Sequence, residues 1–186
     1  MRDRIIKIGI AGCGGIGSNV ARILAQAKTA YLRIVDFDRI EESNLNRQFY
    51  SRFQIGELKT DMLEKNLVDI FPEIIIEKQT LMITKENAFN TFKDCDIIVE
   101  AFDIKELKKM LIEEFSASGK FMVSASGIAG HDMDGVNTKR IGNCHIVGDL
   151  TSDQNCNDLF PPKIMMVASI MAGLILNHAK EMQGNG

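Results

Sequence analysis

The sequence predicts an α/β fold in which a doubly wound, mostly parallel sheet carries helices on both faces. Short runs rich in β-branched residues alternate with segments that repeat apolar residues at helical spacing. The first of these runs leads directly into a glycine-rich turn. No internal repeat, low-complexity tract or proline-rich linker interrupts the alternation. We therefore expect residues 1–186 to form a single domain.

Five apolar runs predict the parallel strands. In chain order they cover residues 5–11, 31–37, a strand that starts at 74–76, 96–102 and 121–125. Residues 140–147 are a candidate for one further strand. The carboxyl ends of parallel strands share one edge of a sheet, and ligands of such folds bind beyond that edge.

Helical patterns fill the segments between these runs. The first follows the glycine turn, the second ends at Pro72, and the third follows the fourth strand. Pro161 and Pro162 open the last helix, since proline is tolerated in a first turn. Residues 162–176 are apolar almost all round, more than one sheet face can cover. We therefore expect a homodimer with this helix near its interface.

Charge, hydropathy and cysteine usage exclude several classes of protein. Lys and Arg number 22 against 25 Asp and Glu, a balance that argues against a nucleic-acid partner. The longest apolar stretch, residues 164–176, spans about 20 Å as a helix, less than the roughly 30 Å of a bilayer core, so no membrane partner is expected. The N-terminus does not resemble a signal peptide. Four widely spaced cysteines favour a reduced, cytoplasmic protein.

A glycine string predicts a nucleotide site. Residues 12–17 spell G-C-G-G-I-G, a G-x-G-x-x-G string placed after a strand and at the start of a helix. Gly12 permits the tight turn, Gly14 lets the backbone approach a phosphate, and Gly17 allows close packing of helix and strand. Asp36 ends the next strand 19 positions after Gly17, where a carboxylate reaches ribose hydroxyls. This context makes the fold Rossmann-like and the site nucleotide-binding.

The segment after Asp36 distinguishes among nucleotides. No Walker A string is present, which excludes a P-loop enzyme. Arg47 lies just past the ribose position and Lys59 opens the next helix, and the two cations suit a polyphosphate. Taken one at a time, such residues are usually solvated surface charges.

Four motifs together resemble the ThiF/MoeB/HesA family. They are G-C-G-G-I-G-S, V-D-F-D-x-x-E-x-S-N-L-N-R-Q, Lys59 and E-A-F-D, and the resemblance covers nearly the whole chain. Members of this family are adenylyltransferases that activate the C-terminus of ubiquitin-like sulfur carrier proteins with ATP. The sequence is most similar to short ThiF-like members of thiamine biosynthesis, whose carrier is ThiS-like and ends in Gly-Gly.

The resemblance also implies roles for individual residues. The glycine turn, Gly15 included, and the V-D-F-D string with Asp36 and Asp38 would bind the nucleotide. Asn44, Arg47 and Lys59 would contact its phosphates, and Arg47 and Lys59 would act in catalysis. Asp103 would serve catalysis by holding Mg²⁺. The resemblance also implies a homodimer.

Two departures from the family pattern limit this transfer. Longer members bind structural zinc with two C-x-x-C pairs, which are missing here, so we expect no zinc. Asn commonly follows the strand-end aspartate, but this chain has Ile104, which removes one polar contact near the metal.

Cys156 lies in the polar stretch 151–158, where an ordinary loop thiol is favoured over a persulfide or thioester role. His131, His145 and His178 have no ligand spacing.

Two other functions remain open at this point. An NAD-dependent Rossmann oxidoreductase would use the same glycine turn but would leave Arg47 and Lys59 unexplained. A non-catalytic nucleotide-binding module would bind ATP without turnover. Carrier-dependent exchange of labelled pyrophosphate into ATP separates all three, because only the adenylyltransferase catalyses it.

Overall fold

A computed structural model describes residues 4–153 and 156–184. Its strands are β1 (Ile8–Ala11), β2 (Tyr31–Val35), β3 (Ile75–Gln79), β4 (Ile97–Glu100), β5 (Phe121–Ala125), β6 (Asn137–Ile141) and β7 (Cys144–Gly148). Its helices are α1 (Gly15–Gln26), α2 (Lys59–Val68), α3 (Ala88–Phe92), α4 (Lys105–Phe115) and α5 (Pro161–Gly184). Short 3₁₀ turns form at Glu42–Asn44 and Arg52–Gln54.

The seven strands form one sheet in the order β3-β2-β1-β4-β5-β7-β6. All neighbouring pairs are parallel except β6 with β7. The chain winds outward from β1 in both directions, so the order reverses between β1 and β4. The predicted fold class, a doubly wound and mostly parallel sheet, is confirmed. Ligands of such sheets bind where the order reverses.

The C-terminal part of the sheet corrects one prediction. Residues 140–147 do not form a single strand, because the chain reverses within them and pairs β6 with β7 as an antiparallel hairpin. Gly142 adopts φ 60° in the two-residue turn between Ile141 and Cys144, a conformation that glycine reaches without strain. Every residue of β6 is exposed at the sheet edge, so this strand has no buried face that would require a pattern of apolar residues in the sequence.

The sequence pattern also failed to predict helix α3 and the later half of β3. Helix α3 has only five residues, too few for an apolar repeat to appear. Strand β3 is an edge strand and carries polar side chains over residues 77–79. Pairing with β2, which is buried throughout, holds these polar residues in the sheet.

Apolar side chains pack on both faces of the sheet. One cluster joins the sheet to α1, α2 and α5, and the other joins it to α3 and α4. Buried residues of α5 recur three or four positions apart, which turns one side of the helix towards α1 and β5. The predicted placement of helices on both faces is confirmed.

Among the described residues, α5 is the one helix long and apolar enough, by length and composition, to cross a membrane. It has 24 residues, more than the apolar stretch counted in the sequence. A core helix meets the same criterion, and seven residues of α5 are buried against the rest of the domain. Its length is therefore weak evidence for a membrane.

Lys163 is a charged residue that is buried in this core. Its side chain is fully buried, and its Nζ donates to Asp149 Oδ2 at 2.6 Å and to the carbonyl oxygen of Ala129 at 2.7 Å. Burial by itself raises the pKa of Asp149, but bonds from Lys163 and the amides of Ser152 and Thr151 hold that pKa well below its ordinary value. The ion pair ties the loops after β5 and β7 to the start of α5.

Replacing Lys163 by Met should strongly destabilise the fold, because Asp149 then keeps a buried charge without its partner. We expect a loss of about 3–5 kcal/mol in the free energy of unfolding, measured with urea at pH 7. Lys105→Met is the matched control, since Lys105 pairs with Asp153 at the surface and its loss should leave the urea midpoint close to that of the wild type. Equal urea midpoints for the two variants would contradict this assignment.

Candidate active site

A cleft with a volume of about 280 Å³ opens beyond the carboxyl ends of β1, β2 and β4. It lies where the strand order reverses, as expected for this sheet. The cleft brings together most of the site residues predicted from the sequence. Those in its lining are Gly12, Gly14, Gly15, Asp36, Asp38, Arg47, Lys59 and Asp103. The other two, Gly17 and Asn44, lie behind the lining.

The glycine turn is built on two close backbone approaches. Gly12 adopts φ 96°, and a Cβ on it would lie 2.8 Å from the carbonyl oxygen of Ala101. A Cβ on Gly17 would lie 1.8 Å from the carbonyl oxygen of Gly12, which no side chain can accommodate. A Cβ on Gly14 would instead lie 3.8 Å from Gln48 Nε2, an ordinary contact, and Gly14 lines the cleft. Gly17 therefore packs α1 onto the turn, while Gly14 and Gly15 border the site.

The start of α1 carries a fixed positive potential into this cleft. The helix begins at Gly15, and Gly14, Gly15 and Ile16 all border the cavity. The first amides of a helix have no intrahelical partner and favour an anion. This end of the cleft is suited to a phosphate group.

Asp36 is held in a fixed orientation at the end of β2. Its Oδ2 accepts the amide of Cys13 at 2.6 Å, and its Oδ1 accepts the amide of Asp38 at 2.8 Å. A carboxylate has further lone pairs, so both oxygens can still accept bonds from hydroxyl groups. The arrangement suits the ribose contact predicted from spacing.

Lys59 is nearly buried at the first position of α2. Its Nζ donates to Asp38 Oδ2 at 2.7 Å, and its amide donates to the carbonyl oxygen of Asp38 at 3.0 Å. The Lys59 side chain is only 8% exposed, whereas that of Asp38 is 48% exposed. Asp38 thus holds the cation against the cleft wall, a partnership that the sequence did not reveal.

Two polar residues of α1 fasten the segment that carries Arg47. Asn19 Nδ2 donates to the carbonyl oxygens of Gly15 at 2.7 Å and Arg47 at 2.8 Å. Ser18 Oγ donates to the carbonyl oxygen of Gly14 at 2.6 Å and accepts the amide of Phe49 at 3.0 Å. Both side chains are buried. Sequence reasoning missed these two residues, although polar residues in the first turns of a core helix are a usable signal.

Arg47 and Asp103 both line the cleft. Burial lowers the pKa of Arg47, and the negative charge of Asp103 opposes this shift. Arg47 Nη1 donates to the carbonyl oxygen of Ser43 at 2.7 Å and to Asn46 Oδ1 at 2.8 Å. These bonds orient a guanidinium that stays charged at neutral pH.

Asn44 shapes the segment just before Arg47. It is buried, and its Oδ1 accepts the amide of Glu41 at 3.1 Å, which caps the 3₁₀ turn. The carbonyl oxygen of Asn44 accepts the amide of Arg47 at 3.2 Å. In this structure Asn44 supports the loop from behind, and its contact with phosphate stays a prediction.

The donor set at Asp103 fits a magnesium ion. Mg²⁺ prefers oxygen ligands and usually combines one or two carboxylates with substrate phosphates and water. Asp103 supplies a carboxylate in the cleft lined by the glycine turn. Within residues 4–153 and 156–184, no group of three or more His, Cys, Asp or Glu could hold a metal by itself. The expected absence of zinc stays a prediction.

The four cysteines and three histidines are not among the residues that line the cleft. Cys13, Cys95 and Cys144 are buried, and burial raises the pKa of the Cys13 thiol well above its ordinary value. Cys156 is exposed, and residues 154 and 155 of its polar stretch are outside the described residues. The histidines pack on phenylalanine rings, which agrees with their interpretation as ordinary core or surface residues.

Comparison with known sequences identifies relatives. The sequence model of the ThiF family matches residues 4–183. The adenylyltransferase and sulfurtransferase UBA4 of Candida glabrata is 32% identical over 148 residues, 78% of this chain and 34% of the relative. The ubiquitin-like modifier-activating enzyme 5 of Arabidopsis thaliana is 36% identical over 91 residues, 49% of this chain and 21% of the relative. The chain thus spans about a third or less of these relatives' length.

Solved structures share the fold at lower identity. The Escherichia coli tRNA N6-threonylcarbamoyladenosine dehydratase TcdA, crystallised with ATP, superposes with a TM-score of 0.88 at 17% identity. That match covers 97% of this chain and 88% of TcdA. Escherichia coli MccB with ATP gives a TM-score of 0.77 at 21% identity, covering 95% and 56%. At this identity, the likeness shows the fold alone.

Replacing single glycines of the turn by alanine should distinguish the glycine that packs α1 onto the turn from the glycine that borders the ligand. We expect Gly17→Ala to lower stability by about 1–3 kcal/mol, because the new Cβ overlaps the Gly12 carbonyl oxygen. Gly14→Ala would make only an ordinary contact with Gln48 Nε2, so it should keep nearly normal thermal stability while weakening ATP binding. Thermal melting and calorimetric ATP titration test both expectations. A stable Gly17→Ala protein would overturn the packing role.

Proposed function

Because the chain belongs to the ThiF family, we propose that it is an ATP-dependent adenylyltransferase. Its substrate is the C-terminal glycine carboxylate of a ubiquitin-like sulfur carrier protein. The observation that carries this proposal is the cleft in which Arg47, Lys59 and Asp103 surround the space beyond the glycine turn. The names of the UBA4 relatives, which include adenylyltransferase, support it.

The proposed reaction joins two anions. An oxygen of the carrier's terminal carboxylate attacks the α-phosphorus of ATP, the bond from that phosphorus to the bridging oxygen breaks, and pyrophosphate leaves. The products are the acyl-adenylate and pyrophosphate, and no proton is transferred. A carboxylate is already ionised at pH 7, so the site needs no general base.

Arg47 and Lys59 can offset the negative charge that the two anionic reactants bring together. Negative charge grows around the α-phosphate in the transition state, where fixed positive groups in a partly buried site are most effective. Arg47 is oriented by Ser43 and Asn46, and Lys59 by Asp38, before any substrate arrives. Little reorganisation is then needed during the reaction.

The other residues bind and orient the nucleotide. The first amides of α1 donate hydrogen bonds to a phosphate group, and Asp36 accepts hydrogen bonds from the ribose hydroxyls. Asp103 would hold Mg²⁺, and the ion would supply positive charge beside the departing pyrophosphate. The crystal structures of TcdA and MccB with ATP support ATP as the nucleotide.

A further cavity of about 390 Å³ meets the nucleotide cleft at Asp103. Its lining includes the small residues Ala125, Ser126, Gly127 and Ala129. An extended Gly-Gly terminus needs little width, so this cavity supports a peptide carboxylate as the nucleophile.

The finer assignment follows the sequence resemblance. We infer a ThiS-like carrier and a place in thiazole formation for thiamine, with the cytoplasm as the compartment and without zinc. The overall negative charge and the buried free thiols support this setting, in which neither nucleic acid nor membrane is a partner. An oxidoreductase would leave Arg47 and Lys59 without a role, and a non-catalytic module would bind ATP without exchanging pyrophosphate.

Charge-removing substitutions test the reaction. We expect Asp103→Asn and Arg47→Ala each to lower carrier-dependent pyrophosphate exchange by about 10²–10³-fold, the usual cost of one preorganised electrostatic contact. Asp36→Ala should instead raise the KM for ATP more than it lowers kcat, because a ribose contact contributes equally in the ground and transition states. Thermal melting of the unliganded variants controls for misfolding. Near-normal exchange by both Asp103→Asn and Arg47→Ala would refute the proposed site.

The proposed homodimer has its own test. The outward side of α5 carries Met166, Ile170 and Leu174, which are only partly buried in one chain. Light scattering at micromolar concentration should give twice the chain mass of 20.7 kDa. Ile170→Lys should shift that mass towards the monomer, whereas Asn90→Lys, exposed on α3 at the opposite face of the sheet, should not. A monomeric wild-type protein would contradict this assembly.

A further inference from the structure

Glu100 is a fully buried carboxylate at the end of β4. Its Oε1 accepts the amide of Phe102 at 2.7 Å, and its Oε2 accepts the hydroxyl of Ser124 at 2.5 Å. Lys108 Nζ lies 3.2 Å from Oε1 and 3.1 Å from Oε2. All of these partners are donors, so the carboxylate is satisfied by hydrogen bonds on both oxygens.

These bonds join three separate parts of the fold. Phe102 belongs to the turn between β4 and α4, Lys108 to α4, and Ser124 to β5. Asp103, the residue after Phe102, lies in the nucleotide cleft. The turn that carries Asp103 is thus attached through Glu100 to the two elements beside it.

The other side of the turn between β4 and α4 contacts β1 and the glycine turn. The amide of Ala101 donates to the carbonyl oxygen of Ala11 at 2.9 Å. The carbonyl oxygen of Ala101 lies where a Cβ on Gly12 would come within 2.8 Å of it. The backbone before Asp103 is therefore held from β1 on one side and by Glu100 on the other.

Stability alone does not account for this arrangement. Apolar residues of similar volume often replace a buried ion pair with no loss of stability. An apolar residue at position 100, however, would leave the Phe102 amide without its acceptor. A small shift of a reacting group can cost about 10²-fold in rate, so precise placement of Asp103 has a large effect on catalysis.

The geometry points to Glu100 as the positioning residue for Asp103. Its carboxylate fixes the turn so that Asp103 keeps its place in the lining of the cleft, which Arg47 also lines. This inference rests on the proposed catalytic role of Asp103, and it gives a role to the other acidic residue of the E-A-F-D string. Glu100 acts through the backbone and does not touch the substrate.

Two matched double variants test this role. Glu100→Gln with Lys108→Met removes both charges but keeps an oxygen that accepts the Phe102 amide. Glu100→Leu with Lys108→Met removes the same charges and keeps the packing volume, but it offers no acceptor. The Gln variant should retain at least a third of the wild-type kcat in pyrophosphate exchange. The Leu variant should lose at least tenfold in kcat, with the KM for ATP within about threefold of wild type.

Amide hydrogen exchange supplies a readout independent of activity. Resolved by NMR, the Phe102 amide should exchange at least tenfold faster in the Leu variant than in the Gln variant. Equal exchange at Phe102, equal kcat values, or a kcat loss that merely follows the loss in melting temperature would overturn the inference. If wild-type protein catalyses no exchange with a Gly-Gly carrier, the proposed function fails, and the Phe102 amide still decides whether Glu100 holds the turn.

Discussion

The absence of two Cβ atoms, at Gly12 and Gly17, is the constraint on which the site depends. Gly17 lets α1 approach the Gly12 carbonyl oxygen, and Gly12 lets the turn after β4 approach β1. Together these contacts bring the start of α1, which favours anions, next to the segment that carries Asp103. A single methyl group at either position would separate elements that must meet for the cleft to exist.

Two buried charged side chains of this protein are paired, and each pair connects a helix to the sheet. Lys59 with Asp38 joins α2 to the end of β2, and Glu100 with Lys108 joins β4 to α4. Pairing makes burial of these charges tolerable, because each charged group gains an oriented partner in place of water. The overall charge of −3 therefore says little about the cleft, where cations are collected locally.

The sequence predicted residues whose chemistry follows from local spacing. The glycine string and Asp36 are linked by one strand–turn–helix unit, so a count of residues was enough to relate them. Ser18, Asn19 and Glu100 escaped prediction because their partners lie on segments distant in sequence. Asn44 was assigned to phosphate from the family motif, whereas its side chain caps the turn before Arg47 in the unliganded fold.

By itself, the sequence determined the alternation of strands and helices, the nucleotide turn and the cationic residues that mark the family. These features depend on periodicity and on residue type at short separations. Only the tertiary structure decided that residues 140–147 turn back as a hairpin, that Asp38 holds Lys59, and that Glu100 lies beneath the turn of Asp103. The physical reason is that these arrangements depend on which distant segments become neighbours, and burial of the whole chain sets that choice.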